Sequence, residues 1–234
     1  MAMTNQLLQS LPDADRAGLN DHFNTIELGQ GEVLAEPGDD IRSVYFPHSG
    51  IVSFMVKMVD GSEVQSVMVG RDGVIGAAQA LDGRKSMNKI IVQVPGTASM
   101  IDRNWLQLLA SDSAIRKLFA SHAQFFVADI QQTAACNACH SAEARMARWL
   151  LRMRDLAGDD LAITHEYLGA MIGVERSTVS HIANVMQENG IISYARGRVH
   201  IANAEILKKQ SCECHEAIRE NYEALLGTPW PAPH

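Results

Sequence analysis

The chain has 234 residues, of which 47% are hydrophobic and 20% are charged, a composition typical of a globular protein with a substantial buried core. The 20 Lys and Arg side chains against 27 Asp and Glu give a formal net charge of −7, which excludes a polycation that holds nucleic acid by overall charge but allows a local basic patch. No apolar run reaches the ~20 residues of a membrane span, and the first residues lack a secretory signal, so we expect a cytoplasmic protein without a membrane partner.

The first 110 residues predict a short helical segment followed by a β domain. The initial segment is amphipathic and is interrupted near Pro12, and its apolar positions are Leu7, Leu8, Leu11 and Leu19. From about residue 23 to 101, runs rich in Val, Ile and Phe alternate with turns that contain Gly, Asp and Pro. Turns that recur every ~8–12 residues are typical of a β-sandwich or barrel.

A short helix around Trp105 to Leu109 and then a long helix are predicted next. Residues 112–136 contain neither Gly nor Pro, and their apolar side chains recur at helical steps as a stripe of Ile115, Leu118, Phe119, Phe126 and Ile130. A narrow stripe is what a coiled-coil dimer contact requires. The alternative is a helix that packs on its own β domain, and the periodicity leaves both interpretations open.

A further helix and a short tail frame the C-terminal part of the chain. The helix ends at Gly158 and has two faces, an apolar one with Met146, Trp149, Leu150 and Met153, and another with Arg145, Arg148 and Arg152. The tail at residues 228–234 is rich in proline, and we expect it to be loosely packed.

Residues 164–201 carry the most specific pattern in the chain. A short helix ends at Gly173, whose missing Cβ lets the chain reverse, and a second helix follows over 175–189, which Gly190 ends. The predicted core face of this second helix consists of Val179, Ile182, Val185 and Met186. Its predicted exposed face consists of Arg176, Ser177, Ser180, His181 and Asn184. Two short strands around an Arg-Gly-Arg turn complete a helix-turn-helix with a β-wing.

This exposed face has the chemistry that reading DNA requires. A helix fits the major groove, where Arg176 in the first turn can donate two hydrogen bonds to O6 and N7 of guanine. Ser, Thr and backbone N–H groups at helix starts hold phosphates, and Arg196 and Arg198 at the wing tip would lie over the sugar-phosphate backbone. The alternative is an interaction module with a solvated polar face. Residues 160–202 carry more acidic than basic side chains, so affinity would depend on a few placed contacts and on a dimer.

Taken in chain order, these features resemble the Crp/Fnr family of bacterial transcription regulators over essentially the whole length. The motifs that carry the resemblance are Gly-Glu-Val-Leu (31–34), Glu-Pro-Gly-Asp (36–39), Tyr-Phe-Pro-His-Ser-Gly-Ile-Val (45–52), Ala-Cys-Asn (135–137), Ala-Arg-Trp-Leu-Leu (147–151), the segment from Ile163 to Ile192, Tyr-Ala-Arg-Gly-Arg (194–198) and Cys-Glu-Cys (212–214). The resemblance implies an α+β fold. Its parts are a jelly-roll-like β-roll (1–110), a long dimerisation helix (111–140), a winged helix-turn-helix domain (141–227) and the loose tail (228–234).

The resemblance also implies partners and roles. The partners are double-stranded DNA with a palindromic operator, a second copy of the chain, RNA polymerase and a small-molecule effector that the sequence does not identify. By position, Arg176 stands at the guanine-reading place of the family, whereas Ser177 and His181 stand where well-studied members often have Glu and Arg. The half-site sequence should therefore differ from theirs. The positions where members touch phosphates are Thr164, His165 and Thr178.

A candidate ligand pocket follows from the same resemblance, at Gly76, Ala77, Arg84, Ser86 and Met87. Members that bind cyclic nucleotides carry a Gly-Glu pair for the ribose and an Arg for the phosphate, and this chain has neither at the matching positions. Without a bidentate cation a cyclic phosphate loses its strongest hold, so we do not expect a cyclic nucleotide. Oxygen-sensing members place cluster cysteines near the N-terminus, where this chain has none.

The cysteines form two close pairs and open a further hypothesis. Cys136 to His140 matches the C-x-x-C-H pattern of haem attachment, but within a helix and without an export signal we favour a packing role. Cys212, Cys214 and His215 are candidate metal ligands, which residues of the first pair or His140 would complete. Because residues i and i+2 point to different sides of a helix, both thiols could bind one ion only where the helix is broken.

No nucleophile triad, phosphate-binding loop or carboxylate pair stands out in the sequence, so we expect no enzymatic activity. The sequence therefore predicts a DNA-binding regulator. The alternatives are a metal- or redox-responsive regulator that uses the cysteines, a protein–protein interaction module on the same fold, and a metallo- or haem-enzyme.

Overall fold

The computed structural model describes residues 4–110 and 114–233. It begins with the short helices α1 (Gln6–Ser10) and α2 (Asp13–Asn20). They meet at the predicted interruption near Pro12, and the side chain of Asn5 caps the first of them by accepting a hydrogen bond from the N–H of Leu8. The leucines of this segment are buried against the β domain, so the helices close one end of its core.

The β domain is the predicted β-roll. Its strands are β1 (Asn24–Leu28), β2 (Val33–Ala35), β3 (Ser43–Pro47), β4 (Ile51–Lys57), β5 (Glu63–Val69), β6 (Lys89–Val94) and β7 (Gly96–Asp102), with helix α3 (Ala77–Asp82) between β5 and β6. They form an antiparallel four-stranded sheet of order β2-β6-β4-β5 and an antiparallel three-stranded sheet of order β1-β7-β3. The β-branched and aromatic side chains that alternate along these strands fill one core between the sheets.

Helices α4 (Arg103–Leu109) and α5 (Ala114–Cys139) follow, as predicted. Residues 111–113, at the predicted start of the long helix, lie outside the described residues. The apolar stripe of α5 lies against the β-roll of its own chain, with Ile115, Leu118 and Phe119 buried and Phe126 and Ile130 half-buried in the same core. This observation favours packing of the stripe on its own β domain, and a dimer contact through α5 stays a prediction.

The C-terminal domain has the predicted winged architecture and a second apolar core. Its elements are α6 (Ala142–Ala157), β8 (Asp160–Leu161), α7 (His165–Ile172), α8 (Arg176–Glu188), β9 (Ile192–Ala195), β10 (Arg198–Ile201), α9 (Ala204–Gln210) and α10 (Cys214–Leu226). The short strands pair antiparallel in the order β8-β10-β9. Helix α10 leaves this domain and packs along α5, where Ile218, Tyr222 and Leu226 join the core of the β-roll.

The expectation of a loose tail at 228–234 is wrong for its described residues. The indole of Trp230 lies over the guanidinium of Arg152, 4.4 Å from the ring centroid, and its Nε1–H donates to the carboxylate of Asp155 at 2.7 Å. Pro231 is buried. An indole has a large apolar face and one polar N–H group. Here the face contacts Arg152 and the N–H group is hydrogen-bonded to Asp155.

Within residues 4–110 and 114–233, no helix combines the length and the apolar character needed to cross a lipid bilayer.

Candidate nucleic-acid interface

The turn between α7 and α8 is built by close backbone contacts. The Thr164 side chain caps α7 by accepting a hydrogen bond from the N–H of Tyr167 at 3.3 Å. Gly173 ends the helix in the left-handed region at φ +66°, where glycine is favoured. A Cβ on Gly169 would lie 2.7 Å from the Val174 carbonyl oxygen, so the chain crosses this helix at the closest approach that a glycine allows. This contact fixes where α8 begins.

Helix α8 presents a polar face to solvent, as predicted. The exposed side chains of its first turns are Arg176, Ser177, Thr178, His181 and Asn184. The Glu175 side chain makes no capping hydrogen bond at the start of α8, and uncapped N–H groups at a helix start suit a phosphate. This edge of the domain therefore offers a guanidinium, hydroxyl groups and backbone donors side by side.

The predicted core face of α8 needs one correction. Val179, Ile182 and Met186 are buried, but Val185 is 42% exposed, and Ala183 is buried in its place. The domain covers one narrow stripe of α8, and the rotation of ~100° per residue carries position 185 beyond its edge. Val185 therefore belongs to the solvent-facing side of the helix.

Two of the residues predicted to contact DNA, His165 and Ser180, also make contacts within the domain. The hydroxyl of Ser180 donates to the Arg176 carbonyl at 3.0 Å and lies 2.9 Å from His165 Nδ1. The ring of His165 in turn stacks on Tyr194 of β9, with ring centroids 3.9 Å apart. Burial, and then the charge of Arg176, lower the pKa of His165, which favours its neutral form. His165 and Ser180 thus join α7, α8 and the wing, a link that sequence spacing alone could not reveal.

The wing tip places two arginines at the edge of the domain. Strands β9 and β10 are joined by Arg196 and Gly197, both with positive φ (49° and 76°), which is the signature of a type I′ hairpin turn. A bulky residue such as arginine is disfavoured in the left-handed region, so Arg196 occupies a position that Asn or Gly would fill with less strain. Arg196 and Arg198 are both exposed.

The first turn of α8 also faces the β-roll of the same chain. A cleft of 790 Å³ separates them, and its walls include Arg176 on one side and Glu63, Lys89 and Met55 on the other. Glu63 is paired with Lys89 at 2.9 Å. Arg176 is an exposed residue on the α8 side of this cleft.

The candidate ligand residues are not gathered around one cavity. Gly76 lines a 210 Å³ pocket together with Asp40, Arg42 and Tyr45. This volume is below the ~300–1,000 Å³ typical of small-molecule sites. Because both Asp40 and Arg42 line this pocket, their charges offset each other and the pocket offers no net positive charge to a phosphate.

The other candidates lie apart from that pocket. Ala77 is buried, Met87 is 82% exposed, and Arg84 faces solvent beside Asp82, with 3.5 Å between Nε and the carboxylate. The Ser86 hydroxyl is used locally, since it donates to the Asn88 carbonyl at 2.6 Å. The residues present therefore do not fit a cyclic nucleotide.

The candidate metal ligands are placed differently from the prediction. His215 is turned away, with Nε2 2.8 Å from the Asp155 carboxylate. Cys212 lies between the end of α9 and the start of α10, which is the helix break that both thiols of the second pair require. Cys212 and Cys214 meet Cys136 and His140 from the end of α5.

The thiols of this group interact directly. The sulfur atoms of Cys136 and Cys212 are 3.5 Å apart, and their hydrogen bond lowers the pKa of the Cys212 thiol to about 5 while it raises that of Cys136. Cys139, the other cysteine of the first pair, is exposed and lies outside the group. The pattern C-x-x-C-H therefore does not act as one unit here.

Comparisons with known proteins agree with this architecture. The model of the cyclic nucleotide-binding domain matches residues 25–112, and the model of the Crp-like helix-turn-helix domain matches residues 144–210. The chain is 23% identical over 182 residues to the cyclic AMP receptor protein of Thermus thermophilus, a match that covers 77% of this chain and 84% of the relative.

Solved structures show the same fold. FixK2 from Bradyrhizobium japonicum superposes with a TM-score of 0.69 at 17% identity, covering 81% of this chain and 98% of that one. A Crp/Fnr-family transcriptional regulator from Thermus thermophilus superposes with a TM-score of 0.66 at 21% identity, covering 80% of this chain and 98% of that one. The predicted fold, a β-roll followed by a long helix and a winged helix-turn-helix, is confirmed.

Proposed function

Since the chain belongs to the Crp/Fnr family of transcription regulators, we propose that it acts in the cytoplasm as a homodimer on a palindromic operator in double-stranded DNA. The observation that carries this proposal is the exposed polar face of α8, which begins with Arg176 and is flanked by the arginines of the wing. RNA polymerase is the partner through which such a dimer would change transcription.

Each group of residues has its own role in this proposal. Helix α8 enters the major groove, where Arg176 donates two hydrogen bonds to a guanine. Ser177 and His181, exposed on the same side, read the neighbouring bases. Thr178 and the N–H groups at the start of α8 contact phosphate, as do Arg196 and Arg198 from the wing. His165 and Ser180 position α8 rather than touch DNA.

The dimer contact is proposed on the side of α5 that faces away from the β-roll. The exposed positions on this side recur at steps of three and four and are Ala120, Gln124, Val127, Gln131, Ala134 and Ala138. This is heptad spacing, and small side chains let two helices approach closely. Two recognition helices held in this way can be set about one DNA turn, ~34 Å, apart.

An unidentified small-molecule effector, bound to the β-roll, would change the position of α8 relative to α5. A coupling free energy of ~1–3 kcal/mol is enough for such a switch.

The test is selection of bound sequences from random DNA, followed by variants of the arginines. We expect a palindrome to be selected, and Arg176→Ala to weaken its binding by ~1–3 kcal/mol with relaxed preference at one base pair of each half-site. Arg198→Ala is the matched control, because a lost phosphate contact weakens binding to all sequences about equally. If Arg176→Ala leaves the base preference unchanged, the proposed register of α8 in the major groove, with Arg176 at a guanine, is wrong.

A further inference from the structure

Four metal-binding side chains from distant parts of the sequence meet at the C-terminal end of α5. Cys136 and His140 are separated by one helical turn on one side of α5, and Cys212 and Cys214 come from the break between α9 and α10. One donor atom from each residue lies within 4.8 Å of all the others. Cys136 and Cys214 are buried, whereas Cys212 and His140 are half-buried.

Two of the distances between these atoms are close to those of a tetrahedral site, and the other pairs lie within 4.8 Å. With Zn–S near 2.3 Å and Zn–N near 2.05 Å, a regular tetrahedron separates two sulfur ligands by about 3.8 Å and a sulfur from a nitrogen ligand by about 3.6 Å. The Cys136 and Cys212 sulfur atoms are 3.5 Å apart, and the Cys214 sulfur lies 3.6 Å from His140 Nδ1. Side-chain movements that shorten the longer of these distances by up to about 1 Å would close the site around one ion.

The surroundings orient the ligands in the way that metal sites require. His140 Nε2, the ring nitrogen opposite the proposed ligand atom, lies 3.2 Å from the Glu213 carboxylate. A carboxylate at this position fixes the tautomer that leaves Nδ1 free for a metal. The side-chain amide of Gln132 donates to the Cys214 sulfur at 3.1 Å, as expected for a neighbour of a thiolate ligand.

We propose that Cys136, His140, Cys212 and Cys214 bind one Zn²⁺ ion in a closed, tetrahedral Cys₃His site. Three thiolates and an imidazole select a soft or borderline cation and disfavour Mg²⁺ and Ca²⁺, which require oxygen ligands. A disulfide between Cys136 and Cys212 would use only two of the four groups and would leave the placement of His140, Glu213 and Gln132 without a purpose.

The site lies where the winged domain joins the long helix. His140 directly precedes Ser141, which caps α6 at the entrance to this domain. Cys212 and Cys214 lie at its exit, where α10 turns back along α5. One ion therefore ties both connections of the domain to the same end of α5. We infer that the ion fixes the orientation of α8 relative to α5, an inference that rests on the proposed function.

The metal site is tested on the full-length protein under reducing conditions, independently of DNA. After incubation with Zn²⁺ and removal of the excess, elemental analysis and native mass spectrometry should find one ion per chain in the wild type. Cys212→Ser should lose it, and Cys139→Ser, which removes the exposed cysteine outside the site, should keep it. Equal zinc content in all three proteins, or loss of the ion in Cys139→Ser, would overturn the proposal.

A second measurement uses only the wild type, so it tests the metal site even if Cys212→Ser does not fold. The wild type, stripped by a chelator, is titrated with Co²⁺, for which tetrahedral thiolate coordination gives intense visible absorption bands. Saturation at one equivalent, reversed by Zn²⁺, supports the site. Absence of these bands, or a Cys136–Cys212 disulfide with no metal uptake after reduction, contradicts it.

The inferred role in positioning is tested last, with the selected operator. Removal of Zn²⁺ from the wild type should weaken operator binding about 5-fold or more, whereas the same treatment should leave metal-free Cys212→Ser unchanged. If the protein binds one ion but its affinity for the operator is unchanged, the inferred role is wrong and the site stands. If no operator is found, the proposed function fails while the metal measurement is unaffected.

Discussion

Single charged side chains tie the β-roll to the winged domain across a buried contact. The guanidinium of Arg152 donates to the Asp72 carboxylate at 2.5 Å, and both side chains are almost fully buried. Arg71 reaches across the same contact to the Asp155 carbonyl at 3.1 Å. Removal of one partner of a buried ion pair typically costs about 3–5 kcal/mol because the other charge is left uncompensated. These side chains therefore fix how the two domains sit together.

A buried histidine in the same region makes stability depend on pH. His122 on α5 accepts a hydrogen bond from the N–H of Val74 at 3.4 Å and packs beside Phe125 and Phe126. Burial lowers the pKa of His122 to about 4, against the opposing charge of Asp72. The unfolded chain takes up this proton near pH 6.5, whereas the folded chain resists it until about pH 4. The titration of His122 therefore leaves the free energy of unfolding unchanged above about pH 6.5 and reduces it as the pH falls from 6.5 to about 4.

We expect His122→Gln, which keeps an acceptor for Val74 but cannot take up a proton, to remove this dependence. Relative to the variant, the wild type should lose about 3 kcal/mol of unfolding free energy between pH 7 and pH 4. Urea unfolding of both proteins across this range measures the difference. Parallel pH profiles would show that His122 is not the titrating group.

At the scale of elements, the turn between α7 and α8 depends on glycine for two different reasons. Gly169 has no room for a Cβ against the Val174 carbonyl, whereas Gly173 has open space but a φ of +66°. We expect Gly169→Ala to cost ~1–3 kcal/mol by steric overlap and Gly173→Ala about 1 kcal/mol by backbone strain. Thermal unfolding compares the two variants.

Variants at Gly169 and Gly173 also distinguish a loss of stability from a displacement of α8. Gly169→Ala should also weaken operator binding at temperatures where it remains folded, because the overlap displaces the start of α8. Gly173→Asn is the matched control, since Asn tolerates the left-handed region and should bind DNA as the wild type does. Equal operator binding by Gly169→Ala and the wild type would show that the turn does not set the position of α8.

Local sequence patterns predict most of the helices and strands. They do not show which other part of the molecule a helix face or a terminal segment packs against. Periodicity indicated a long helix and a stripe on it, but Phe126 and Ile130 could face a second chain or the β-roll with equal spacing. The tail looked unstructured because nothing in its sequence shows that Trp230 meets Arg152 and Asp155. The cysteine pairs were evident, whereas the choice of His140 over His215 depends on how α10 packs on α5, a contact between residues far apart in sequence.

At the scale of the whole molecule, the proposed function makes the position of α8 relative to the β-roll important for DNA binding. Arg176 lines a cleft shared with Glu63 and Lys89 of the β-roll. A duplex that approaches α8 must therefore enter beside this domain. A change in the β-roll that widens or narrows the cleft would alter access to α8, and an effector of the proposed kind would act on DNA binding through this change.

The exposed side of α5 is the surface on which the proposed dimer contact can be tested. Val127, at the centre of the heptad-spaced positions, is 54% exposed in the single chain. A carboxylate there would have to be buried next to its symmetry mate in a dimer, which costs free energy through both desolvation and repulsion. We expect the wild type to sediment at twice the mass of one chain and Val127→Glu to sediment as a monomer.

Ile206→Glu, which places the same charge at a 38% exposed apolar position of α9, is the control and should remain a dimer. Because linked half-site contacts raise affinity by ~10²–10⁴, Val127→Glu should lose operator binding by at least tenfold, while its circular dichroism spectrum shows that the monomer remains folded. A dimer that survives this substitution would mean that the two chains meet through another surface, such as the hairpin between β4 and β5, whose Met58 and Val59 are also exposed.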